Sequence, residues 1–121
     1  MKTILIVEDE TILRGNLREM LAFEGFDVLD AENGVTAIRL AQTHRPDIIL
    51  CDVAMPEMDG FEVLERLQEN PATAAIPVLL LTAQAEKSSI QHGLEMGAKG
   101  YILKPFLFSD VLAKVRACLG E

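Results

Sequence analysis

Five polar residues stand where short apolar runs end. Glu8 and Asp9 follow "TILIV", Asp52 follows "IILC", Thr82 follows "VLLL" and Lys104 follows "GYIL". Carboxylates gathered at one point repel: a pair about 5 Å apart costs roughly 3 kcal/mol at an effective dielectric of about 20. Three of them with a single lysine either take up protons or bind a cation. Oxygen-only ligands select a hard ion, and so few of them leave room for water, which points to Mg²⁺ rather than Ca²⁺ or Zn²⁺. A carboxylate beside Mg²⁺, an ammonium and a hydroxyl suits phosphoryl chemistry. Asp52 is then the nucleophile that carries an aspartyl phosphate. Mg²⁺ and Lys104 neutralise charge on the phosphoryl oxygens, and Thr82 Oγ donates to one of them.

These residues are far apart in the chain, so the fold must bring them together. Short runs rich in branched residues predict strands over 3–7, 26–30, 47–51, 77–81 and 99–103, as expected of buried parallel strands. Helices are predicted between and after them. Over 10–24, Leu13, Leu17, Met20 and Leu21 fall on one face, with Gly25 as the stop. Asn33 caps a helix over 34–44 with Ala37, Ile38 and Ala41 inward. "DGFE" is a capping box from Asp59, opening a helix with Phe61, Leu64 and Leu67 inward. The last two helices cover 86–96, closed by Gly97, and 108–119, with Val111, Leu112, Val115 and Leu119 inward.

Five successive β–α units imply an α/β domain over 1–121: a parallel sheet with right-handed crossovers and helices on both faces. Asp27 and Asp30 place the second strand at an edge. The order 2-1-3-4-5 satisfies this, giving a doubly wound, flavodoxin-like (βα)5 three-layer sandwich. All strand C-termini then share one edge, and strands one and three adjoin at the switch point where ligands bind. Asp52 is expected at the cleft mouth, held by the stiff central strand but not buried. His44 and His92 lie on helices away from it.

Composition narrows the choice. The chain has 121 residues and a formal net charge of −8, which argues against direct nucleic-acid binding and against an anionic membrane surface. The N-terminal apolar run stops at Val7 before three acids, so it is not a signal peptide, and no later run can span a bilayer. Cys51 and Cys118 form no metal or disulfide pattern and are expected to be reduced structural thiols in a cytoplasmic protein.

At these spacings and in this order, "VEDE", "DVAMPEMDG", "LTA", "GAKGY" and "KPF" give a chain that resembles bacterial two-component response-regulator receiver domains over its full length, in the style of the single-domain chemotaxis regulators. The resemblance implies a phosphoacceptor, Asp52, charged by a histidine kinase or histidine phosphotransfer protein. It implies that Asp9 ligates Mg²⁺ directly, Glu8 through water, and Ala54 through its backbone carbonyl. Lys104 pairs with the phosphoryl group, Thr82 moves toward it and Tyr101 changes rotamer with it. The Lys104–Pro105 bond is expected to be cis, and Gly60 lets the loop after Asp52 pass close. Ala54 and Gln84 flank the site where phosphate lifetime is tuned. The face of the fourth helix, fifth strand and fifth helix reads out the state, through a downstream partner, a fused output domain or a dimer. Such a domain is a signalling switch that catalyses only its own phosphorylation and dephosphorylation. Stand-alone receiver and segment of a longer protein both fit the sequence.

Each residue alone has an ordinary explanation, such as a helix cap for Glu8 or a surface role for Lys104; their joint occurrence is what counts. A haloacid-dehalogenase-type phosphatase needs a second Asp two past the nucleophile, where this chain has Ala54. A flavodoxin-like cofactor binder needs a Ser/Thr/Gly-rich loop after the first strand, and "EDETIL" is not one. A degenerate receiver lacks site residues that are present here. In "KPFLFSD", Leu107 stands where relatives carry a capping Ser or Thr. Leu107 and Phe108 are expected either to bury locally or to form an apolar partner patch.

Overall fold

The computed structural model describes residues 1–83 and 87–121. Five strands, β1 (Thr3–Val7), β2 (Asp27–Ala31), β3 (Ile48–Asp52), β4 (Val78–Ala83) and β5 (Gly100–Lys104), alternate with five helices. These are α1 (Thr11–Phe23), α2 (Gly34–His44), α3 (Gly60–Glu69), α4 (Lys87–Glu95) and α5 (Phe108–Cys118). The sheet is parallel throughout, in the order β2-β1-β3-β4-β5. This is the expected flavodoxin-like arrangement.

Strand alternation divides the core into two layers. Leu5, Val7, Ile49 and Cys51 face α2 and α3, while Ile4, Ile6, Ile48 and Leu50 face α1 and α5. Every residue of β3 is buried, so the central strand is clamped from both sides.

Local chemistry sets the helix ends. The Asn33 and Asp59 side chains accept from the Thr36 and Glu62 N–H groups, each at 2.9 Å, capping α2 and α3. After α1, Gly25 takes φ +97°, where a side chain would be strained, and its N–H closes onto Ala22 O.

Three expectations about packing need correction. Met20 is 44% exposed, because the inward row of α1 is Leu13, Leu17 and Leu21 and Met20 falls at its outer edge. On α3, Val63 takes the fully buried position expected of Phe61, which is half-buried and meets the His92 ring edge-on at 4.8 Å. Leu107 and Phe108 part company: Phe108 packs against the α1/α5 layer, while Leu107 stays 69% exposed and gives α5 no side-chain cap.

The strands run further than the apolar pattern. Asp52, Thr82 and Lys104 do not follow their strands but end them or lie within them, in register with Leu81, Leu103 and Ala83 respectively. Ladder pairing continues past the last apolar side chain, because the backbone needs partners whatever the side chain is. The loop after β3 then folds back, with the Gly60 N–H on Val53 O at 2.9 Å and Glu57 at φ +68°. A Cβ on Gly60 would lie 2.5 Å from the Asp52 carbonyl oxygen and 2.8 Å from Val53 Cα. Neither backbone atom can yield without moving the strand end. Gly60→Ala is therefore expected to destabilise the domain by about 1–3 kcal/mol, measured as a lower urea midpoint.

Candidate functional site

The C-terminal edge of the sheet gathers the acids. Glu8 and Asp9 leave the end of β1, and the Glu8 N–H bonds to Ala31 O at the end of β2 at 3.1 Å. Asp52 ends β3, the neighbour of β1. One ligand oxygen from each of Glu8, Asp9 and Asp52 lies within 4.8 Å of the others. Lys104 reaches across from β5, its Nζ 3.0 Å from Glu8 Oε1 and 3.1 Å from Asp52 Oδ1.

Burial governs the electrostatics. Glu8 is fully enclosed and Asp52 is 4% exposed, so Asp52 does not stand open at the cleft mouth as expected. Val53 and Met55, which follow it, are themselves buried, and Lys104 Nζ meets its carboxylate. Burial pushes the Glu8 carboxyl up to about 7, with the Asp52 charge adding to the rise, against the pull of the Glu10 N–H and Lys104. Burial likewise raises Asp52, against Lys104 and hydrogen bonds from Glu8 and the Ala54 N–H. Burial alone would lower Lys104, but its contacts with Glu8 and Asp52 outweigh that and hold the ammonium above its ordinary value.

One lysine does not balance three acids. An all-oxygen donor set this compact, with Asp9 the most open of the three, suits a hard divalent cation. The donor chemistry therefore fits a metal.

The other predicted residues surround this group. Thr82 is 2% exposed, and among the described residues its hydroxyl has no hydrogen-bond partner, a costly condition for a buried polar atom. Ala54 is exposed and turns its N–H to Asp52. The Lys104–Pro105 bond is cis. Tyr101 on β5 is half-buried, with Lys114 Nζ 4.8 Å from its ring centroid and 2.9 Å from its carbonyl oxygen. Gln84 lies outside the described residues. His44 and His92 sit on α2 and α4.

Sequence reasoning missed Arg14. Its Nη1 donates to the Glu8 carbonyl at 2.8 Å, and its Nε pairs with Asp30 at 3.1 Å. Asp30 had marked an edge strand; an acid there with Arg14 and Arg18 on the preceding helix was the available signal.

Known proteins resemble this chain in sequence and fold. The family model for the response regulator receiver domain matches residues 4–116. Response regulator MprA of Mycobacterium sp. (strain KMS) is 40% identical over 116 residues, which are 96% of this chain and 50% of that protein. This chain thus spans about half the length of the curated relatives it matches. The chemotaxis protein CheY4 of Vibrio cholerae superposes with a TM-score of 0.92 at 31% identity, over 98% of each chain. The receiver domain of sensor histidine kinase PA1611 of Pseudomonas aeruginosa PAO1 superposes with a TM-score of 0.90 at 28% identity, over 99% of this chain and 98% of that one. That structure holds a magnesium ion coordinated in its active site cleft.

Two outcomes are expected from the electrostatics and burial. Folded Glu8 keeps its proton up to about pH 7, against an ordinary value of 4.5. Between these pH values the folded state binds more protons than the unfolded chain, so metal-free stability falls as pH rises through the window. The fall is at most about 1.4 kcal/mol per pH unit. Melting curves should decline from about pH 5 to about pH 7, with Glu8→Gln flattening the decline and Mg²⁺ stabilising more at the higher pH. Second, Thr82→Val removes a hydroxyl that has no partner among the described residues and should stabilise the metal-free domain by about 1 kcal/mol, measured as a higher urea midpoint.

Proposed function

The chain belongs to the response regulator receiver domain family, the signalling switch of two-component systems, and from that premise we propose that Asp52 is its phosphoacceptor. The donor is a histidine kinase or a histidine phosphotransfer protein. The observation that carries the reading is Asp52 itself: the last residue of the buried central strand, within 4.8 Å of two further acids and 3.1 Å from the Lys104 ammonium.

The chemistry follows from these residues. An Asp52 oxygen attacks the phosphorus, the P–N bond to the donor histidine breaks as the P–O bond forms, and the histidine ring regains a proton. Lys104, held to Glu8 and Asp52 at rest, neutralises charge on the transferred oxygens. Glu8, Asp9, Asp52 and the Ala54 carbonyl would hold Mg²⁺, which when bound offsets phosphoryl charge. The cluster's oxygen-only donors support that identity for the metal. Rigid β3 fixes the nucleophile's position before the donor arrives, which favours attack by orientation alone.

The product state then differs from the resting state. A phosphoryl group adds charge and acceptor oxygens at Asp52. The Thr82 hydroxyl, without a partner among the described residues, gains an acceptor there, and Lys104 follows the new charge. A swing from 1:99 to 99:1 needs about 5.5 kcal/mol of differential interaction. A few charge-assisted hydrogen bonds of about 1.5–3 kcal/mol each reach that. Tyr101 and the face of α4, β5 and α5 carry the change to a downstream partner, an attached output domain or a second copy of the chain. Ala54 has no side-chain group to orient an attacking water and, with Gln84, sets the phosphate lifetime. Among the described residues no helix is long and apolar enough to cross a membrane, which accords with a cytoplasmic switch.

Incubation with Mg²⁺ and a small-molecule phosphodonor, followed by intact mass, tests the reading. Wild type should gain one phosphoryl group, and Asp52→Ala none. Wild type left unlabelled beside a labelled control receiver would instead favour a pure interaction module.

A further inference from the structure

We propose that Arg14 is a positioning residue for the acidic site, setting the peptide that joins Glu8 to Asp9. The inference rests on the reading of these acids as cation ligands. The Arg14 side chain is only 14% exposed. Its Nη1 donates to Glu8 O at 2.8 Å, and its Nε pairs with Asp30 Oδ2 at 3.1 Å. Asp30 lies on β2, in register with Ile6 of β1, and its other oxygen takes Arg18 Nη1 at 3.0 Å. One guanidinium thus ties α1 and β2 to the loop that leaves β1.

Every other polar group of Glu8 is also held. Its N–H bonds to Ala31 O, Oε1 to Lys104 and Oε2 to the Glu10 N–H at 3.1 Å. The carbonyl is the remaining one, and it belongs to the same rigid plane as the Asp9 nitrogen. Fixing that plane narrows the directions in which the Asp9 side chain can leave the backbone. Asp9 has no hydrogen-bonded side-chain partner among those described for the other two acids, so its aim depends on the backbone. The planar fork of Arg serves two acceptors in fixed directions; a lysine would reach one or the other.

Arg14 also carries a charge near the site, and the two roles predict opposite signs. Through-space repulsion means that removing the charge tightens cation binding. Loss of positioning weakens it, on the order of 10-fold or more, as for other residues that orient metal ligands. The test is calorimetric Mg²⁺ titration of the full chain at a temperature where circular dichroism finds each variant folded. Arg14→Gln is expected to bind about 10-fold more weakly. Arg14→Lys keeps the charge, is the milder change for folding, and should still bind more weakly than wild type. Arg18→Gln, which loses the same Asp30 partner without touching Glu8, should bind like wild type. Arg14→Gln binding as tightly as wild type or more so, or Arg18→Gln weakening equally, overturns the proposal. Wild type taking up no Mg²⁺ overturns the metal reading and this inference together, an outcome distinct from an effect confined to Arg14.

Discussion

Negative charge withdrawn from water is the condition on which this domain is organised. Glu8 is wholly enclosed, Asp52 nearly so, and the two share one ammonium. Such a group of acids is tolerable only while a cation or a proton compensates it. Lys104 compensates part of it, and burial pushes the Glu8 carboxyl up to about 7, toward taking up a proton. The same shortage of positive charge makes the edge receptive to a metal ion. The site is thus held in a state that an arriving charge can change, and a switch needs that susceptibility.

The sheet supplies what the charges cannot. Lys104 meets Glu8 and Asp52 only because the order β1-β3-β4-β5 sets its strand two places from Asp52, within reach of a four-carbon stem. The central strand is buried on every residue, so the Asp52 backbone cannot retreat from its neighbours. Gly60 lets the returning loop lie against the Asp52 carbonyl, where no side chain fits. Glu57 holds a left-handed conformation in the same loop. Backbone close-packing and local strain accumulate within a few residues of the acid, where function rather than stability selects geometry.

Element identity and strand order were legible because hydrophobic periodicity and the acids of β2 carry them. The convergence of Glu8, Asp9, Asp52, Thr82 and Lys104 followed from that order. Burial of the site was not legible. The apolar run ends at Cys51, but strand pairing is a property of the backbone, and it carries Asp52 inside. Val63 was legible and passed over: two residues apart, it and Phe61 cannot share a helix face, and the buried face is Gly60, Val63, Leu64 and Leu67. Arg14 escaped notice because its target is a main-chain carbonyl, which leaves no mark in side-chain pattern. Leu107 and Phe108, adjacent in sequence, divide between surface and core at the start of a helix.

The contact between Lys114 and Tyr101 has an optical consequence. The chain has one tyrosine and no tryptophan, so emission beyond the phenylalanine band arises from a single ring. That ring lies on β5 with an ammonium 4.8 Å from its centroid, three residues before the lysine that bridges the acids. Lys114 of α5 lies over that ring, and the strand that carries it ends at Lys104 in the site. The protein therefore carries a built-in chromophore at the joint between its charge cluster and its outer face, and its signal beyond the phenylalanine band is a record of that joint.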